Sequence, residues 1–181
     1  MRRRRSTKAV AVLSTILCSS AALGEEADQL RAFLASHHCE ITGRLSQIHA
    51  SPDKKARYII LSDVSQPEHY VQCLFIEGDT RMLCEAASGF YRAKQGEERV
   101  KLVSPQGLSA LKGLGFSVDD SEGNFQVFAN TATTADFPTV AELMLTALYR
   151  GYEKRQPPRL KIEAPQGPGG RTMRAQCASV S

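Results

Sequence analysis

From residue 25 onward, apolar residues recur along this chain in two periods. Over 25–36 they fall at Leu30, Phe33 and Leu34 with charges between them, which predicts an amphipathic helix. Over 39–46, Cys39, Ile41, Gly43 and Leu45 alternate with Glu40, Thr42, Arg44 and Ser46, a period of two that predicts a strand. Ser51-Pro52-Asp53 is a turn signal. The β-branched and aromatic run over 57–61 predicts another strand, and 62–68, with Pro67, a loop.

Residues 69–77 and 80–88 read as two strands joined by Gly78-Asp79, a Gly-first loop that predicts a type II′ hairpin. That turn sets Phe75 against Met82, Cys73 against Cys84 and Val71 against Ala86, an all-apolar face fit for the core. The opposite face pairs Ile76 with Arg81, Leu74 with Leu83 and Gln72 with Glu85. It is mixed, as expected of a sheet with one side less covered.

Residues 92–99 read as a charged loop and 100–103 as a short edge strand. Ser104-Pro105 is a helix start, with Leu108, Leu111 and Leu114 continuing it and Gly113 or Gly115 ending it. An acidic turn over 119–124 precedes a strand marked by Phe125, Val127 and Ala129. Pro138 opens the last helix, whose stripe is Val140, Leu143, Met144, Ala147 and Leu148. Leu160 and Ile162 predict an edge strand, and 165–181, rich in Pro and Gly, a disordered tail. Strands outnumber helices and cluster ahead of the second helix. The expected fold is α+β, an antiparallel sheet of about five strands with helices packed on one face.

The N-terminus changes the reading of charge and compartment. Arg2 to Arg5 and Lys8 form a basic start, 9–23 is uncharged, and Ala22 and Gly24 place small residues at −3 and −1 of a cleavage site. Residues 1–24 therefore read as a signal peptide and 25–164 as one domain; a retained anchor is the alternative, for which the uncharged stretch is short. The whole chain is +4, with 23 basic and 19 acidic residues. The leader holds five basic and no acidic residues, so 18 basic remain against 19 acidic, net −1. A nucleic-acid partner loses its electrostatic support. Cleavage leaves Cys39, Cys73, Cys84 and Cys177, enough for two disulfides in a periplasmic or secreted protein. Three pairings of the four are possible; the hairpin places Cys73 opposite Cys84, at a hydrogen-bonded pair and at a Cα separation a disulfide accepts, with two buried free thiols in the core face as the alternative, and a bond between these two would leave Cys39 with Cys177.

Several segments together resemble a bacterial family. They are Tyr70-Val71-Gln72, the run from Glu85 to Tyr91, Ser104-Pro105-Gln106 with Leu108, Leu111 and Leu114-Gly115-Phe116, Asn124-Phe125, and the stripe from Val140 to Leu148. The pattern is similar to that of the YbjN-like and type III secretion chaperone-like domains, over about 58–162. Gly89 stands where that family often has Asn, and Phe116 where it often has Trp. Its better-known members work in the cytoplasm, whereas this chain reads as exported. The resemblance implies protein or peptide binding without catalysis or cofactor.

The densest set of donor side chains is His37-His38-Cys39-Glu40. A metal site needs three or four convergent donors, and neighbours on a strand point to opposite faces. A metal-binding protein or small enzyme built on this cluster is the alternative function. A Cys–His nucleophile on Cys39 or Cys84 has no supporting signature around it. The acidic turn from Asp119 has Asn130 where a calcium loop needs its twelfth-position Glu. No metal or cofactor is expected. The favoured reading is a binding surface formed by Leu74, Ile76 and Leu83 on the mixed face, taking an unidentified protein or peptide, or a second copy of the chain in a homodimer. Protein isolated from the cell envelope should begin at or near Glu25, which N-terminal sequencing checks; an intact membrane-held leader would contradict it.

Overall fold

The computed structural model describes residues 14–92, 100–154, 156–165 and 177, and of 14–23 only the backbone path. The start of the leader, the charged loop beyond Arg92 and most of the tail lie outside the described residues. Among the described residues, no helix is long and apolar enough to cross a membrane.

Helix α1 runs from Ser14 to Ala50 without a break, so the strand expected over 39–46 is helix. The buried positions are Leu30, Phe33, Glu40, Ile41, Arg44, Leu45 and Ile48, a helical stripe. The alternation misleads because Glu40 and Arg44 belong to that stripe. Arg44 donates from Nε (3.2 Å) and Nη2 (3.0 Å) to Glu40 Oε1 one turn earlier, and the pair is buried together. Counting two buried charges as outward residues turns a period of 3.6 into an apparent period of two.

The sheet is antiparallel, in the order β4-β3-β2-β1-β5. Its strands are β1 Tyr58–Asp63, β2 Gln66–Ile76, β3 Arg81–Ala86, β4 Phe125–Asn130 and β5 Leu160–Glu163. The expected loop over 62–68 is only a tight turn. Pro67 is tolerated in β2 because it sits at the bulged start, before pairing with β3 begins at Val71. The segment 100–103 is not a strand; one bond, Leu102 N–H to Ser88 O (3.3 Å), ties it down.

The hairpin has the expected register, with Cys73 opposite Cys84 and Leu74 opposite Leu83. Its turn is not type II′. The strands end at Ile76 and Arg81, so the loop has four residues, Glu77 to Thr80, and Glu77 (φ 51°), Gly78 (φ 66°) and Asp79 (φ 72°) are all left-handed. Asp79 tolerates this conformation and is held by an ion pair with Arg57. Ala87 N–H donates to Tyr70 O (3.1 Å), while Phe75 N–H turns away from β3 to Arg57 O (3.1 Å). Even-numbered residues of β2 thus bond to β3, and Cys73–Cys84 is a non-hydrogen-bonded pair, contrary to expectation. Facing residues approach more closely at such a pair, and the Cα separation is 4.1 Å, just below the expected range.

Helix α2, Pro105–Gly113, is capped by Ser104, whose Oγ accepts from Gly107 N–H (3.1 Å). Helix α3, Phe137–Gly151, follows a capping box in which Thr133 and Asp136 bond reciprocally. More of α3 is buried than one stripe: Ala141, Leu145, Thr146 and Tyr149 join the expected positions, while Leu143 is only half-buried. It lies on β1, β2 and β3 and packs against α1 and α2. The apolar hairpin face forms the sheet's side of the core, with Val71, Cys73, Met82, Cys84 and Ala86 fully buried.

The second disulfide joins Cys39 to Cys177, Cα atoms 5.8 Å apart, and its anchor is α1 rather than a strand. Two formed disulfides fit an oxidising compartment. Chain-entropy arguments give the bond spanning 138 residues about 5 kcal/mol and the hairpin bond spanning 11 residues about 3 kcal/mol.

Helices α2 and α3 touch backbone to backbone at Gly107. A Cβ there would lie 2.1 Å from Gly151 O and 2.8 Å from Val103 Cγ1, whereas one at Gly113 meets nothing within 4 Å. Gly107→Ala should destabilise by about 1–3 kcal/mol or more, lowering Tm by several degrees in a thermal melt. Gly113→Ala should raise Tm slightly, since alanine is the better helix former.

Candidate functional site

Among the described residues, α3 and α1 pack on one face of the sheet with α2 against α3, and no helix covers the other face. On the open face, register aligns Tyr58 with Leu74, Leu74 with Leu83, and Leu83 with Phe128. Four apolar side chains thus form one row across four strands. Phe128 is 52% and Tyr58 37% exposed; Leu74 and Leu83 are half-buried, as are Ile60 and Ile76 beside them. The structure brings Leu74, Ile76 and Leu83 together as expected, and adds Tyr58, Ile60 and Phe128. Phe128 was legible as the aromatic residue among the outward positions of β4. Its place in the row depends on the β3–β4 register, which no local pattern sets.

Polar neighbours of the row are largely engaged. On one side Glu85 accepts from Gln72 Nε2 (2.6 Å) and Gln126 Nε2 (3.1 Å). On the other, the Arg81 guanidinium lies 4.4 Å from the Phe128 ring centroid and bonds Glu77 (2.8 Å). At the Tyr58 end, Lys54, Lys55 and Arg57 border a hollow of about 360 Å³ floored by Ile60 and Leu74. Arg57 is held by Asp79 and by the Ser51 carbonyl. Its hydrogen bond keeps the Asp79 carboxyl below the usual range, against a smaller opposing effect of burial.

The His37–Glu40 donors do not converge. On a helix they point to different sides. The His37 ring packs on Phe33 (5.0 Å), His38 Nε2 lies 2.9 Å from Pro138 O, Cys39 is bonded to Cys177, and Glu40 is paired with Arg44. Among the described residues no group of three His, Cys, Asp or Glu side chains is placed to hold a metal ion. His49 sits between Phe75 and Phe137, away from this helix segment's other donors in its contacts. Cys39 and Cys84, the two cysteines weighed as nucleophiles, are both disulfide-bonded. The acidic turn is closed by Asp119 Oδ1 accepting from Ser121 N–H (2.9 Å).

A second polar cluster, not anticipated from sequence, lies where the end of α3 meets the β1–β2 turn. The ammonium of Lys154, just beyond α3, reaches Asp63 Oδ2 (2.6 Å), Gln66 Oε1 (2.6 Å) and His69 Nδ1 (3.0 Å). Three acceptors use its three N–H bonds, so it works as a lock between α3 and the bulged end of the β1–β2 hairpin. The His69 ring stacks on Tyr152 (4.5 Å), whose hydroxyl lies within hydrogen-bond reach of the Tyr70 (2.9 Å) and Ala87 (3.0 Å) carbonyls. Burial drives the Tyr152 phenol far above its ordinary range.

Fold and face together define a two-layer α+β domain with one sheet face that no helix covers among the described residues. No protein-family model, curated protein or solved structure matches the chain.

The lock makes stability depend on pH. Burial, with the nearby Lys154 charge, lowers His69 below its ordinary 6.5, so the folded state prefers neutral imidazole. That contribution is complete above 6.5 and is lost as pH falls through 6.5 toward the folded value. Burial pushes Asp63 upward, but the bonds from Lys154 and Ser65 outweigh it and lower its pKa. Its contribution is present above 3.8 and fades as pH drops below that. Denaturant melts across pH should show both losses. His69→Asn, which keeps an acceptor for Lys154 and cannot be protonated there, should flatten the first and leave the second.

Proposed function

We propose that this chain is an exported, non-enzymatic binding domain, chaperone-like in kind, whose open sheet face holds a protein or peptide in the periplasm or outside the cell. The observation that carries the reading is the apolar row Tyr58–Leu74–Leu83–Phe128 on a face no helix covers. A contiguous apolar strip rimmed by polar side chains is a feature of interaction surfaces. The basic, then uncharged, leader and the two disulfides support export. The resemblance to YbjN-like and secretion chaperone-like domains supports binding without catalysis, and the α+β architecture is of the kind it implies.

The test is a photo-crosslinking amino acid placed at Phe128 in cells. It should yield a covalent polypeptide adduct, while the same group at Asp120 should not. Leu74→Asp with Leu83→Asp should leave the circular dichroism spectrum intact and reduce the adduct by about tenfold or more. An unchanged adduct in that folded double variant would place the binding surface elsewhere.

A further inference from the structure

We infer that the open face has a direction: it fits an extended peptide lying along the apolar row, with an acidic group at the Tyr58 end. This rests on the reading of that face as the docking surface and adds the chemistry of the partner.

Charge is distributed unevenly along the row. At its Phe128 end the cation, Arg81, is already bonded to Glu77 and stacked on the ring. In the middle, Glu85 is engaged by two amides. At the Tyr58 end, Lys54, Lys55 and Arg57 face two local carboxylates. Asp53 Oδ1 accepts from the Lys55 backbone N–H (3.0 Å), and Asp79 is held by Arg57 with Lys54 nearby. On β5 beside Ile60, Lys161 and Glu163 pair with each other (2.6 Å) and add no net charge, so among the described residues three cations against two occupied carboxylates leave positive charge at this end of the row, on exposed Lys54 and Lys55 beside the apolar hollow. An apolar chain ending in carboxylates complements both.

Dimensions agree with a short segment. Three strand spacings of about 4.8 Å make the row about 14 Å long, the reach of about five extended residues. Alternate side chains of such a segment would face the sheet. Lying across the strands is favoured over adding to the β4 edge, where Gln126 O already accepts from Ser117 N–H (2.7 Å).

Fluorescence anisotropy with the intact disulfide-bonded protein tests this. The probes are fluorescein-labelled, amidated Leu-Ser-Leu-Ser-Leu peptides ending in two Glu, two Ser or two Lys. The Glu-ended peptide should bind tightest. Lys54→Glu with Lys55→Glu should weaken it by about tenfold and strengthen the Lys-ended peptide. Leu83→Asp should weaken all three, with circular dichroism confirming the fold. Equal binding of Glu- and Lys-ended peptides, or a preference indifferent to the charge reversal, would overturn the direction while Leu83→Asp still upheld the docking face. Binding that Leu83→Asp leaves unchanged would overturn the face itself. Self-association that excludes every peptide would overturn the inference in favour of a second copy.

Discussion

The architecture depends on the burial of α3. Ten of its fifteen residues are buried, so it behaves as a core element rather than a surface helix. One side meets the apolar face of β1–β3, and the rest meets α1 and α2. A fully buried side chain of Val, Leu or Phe size stabilises by about 1.5–3 kcal/mol. Gathering α1 and α2 around α3 satisfies that helix and one sheet face together. It leaves no helix for the other face, so the exposure of the row from Tyr58 to Phe128 follows from how the core is built.

Buried charges fasten this arrangement in two places. The Glu40–Arg44 pair lets α1 carry charge inside its core stripe, and Lys154 binds the end of α3 to the bulged hairpin. Breaking such a pair from one side leaves an uncompensated charge out of water, which is severely destabilising. Both therefore act more as constraints on how the layers meet than as sources of net stability.

The fold class was legible where side-chain period and turn chemistry agreed. The hairpin register came from Gly78-Asp79, α2 from Ser104-Pro105, and α3 from its stripe. Reading failed where a polar residue served the core. Glu40 and Arg44 disguised a helical stripe as alternation, and no local rule reveals that two charges will satisfy each other inside. The cysteine geometry shows a finer limit. Register depends on which residues face each other, and the centring of the turn on Gly78-Asp79 gave that correctly. The hydrogen-bond phase depends on where the strands stop: left-handed backbone at Glu77 lengthens the loop from two residues to four, and the closing pair becomes Ile76 with Arg81. Of the site, the β2–β3 residues were readable because one turn joins them. Tyr58 enters through the tight β1–β2 turn, where a longer loop was expected, and Phe128 through the β3–β4 pairing, whose segments no short turn connects.

The Cys39–Cys177 bond has a mechanical meaning. It joins a residue within the first helix to one 138 positions later, enclosing the whole sheet and both later helices in a covalent loop. Tension applied ahead of Cys39 and beyond Cys177 would pass through the sulfur bridge and bypass the loop. The strands would carry none of that load. A pull of this kind could peel the part of α1 before Cys39 while the sheet, with its open face, stayed at rest.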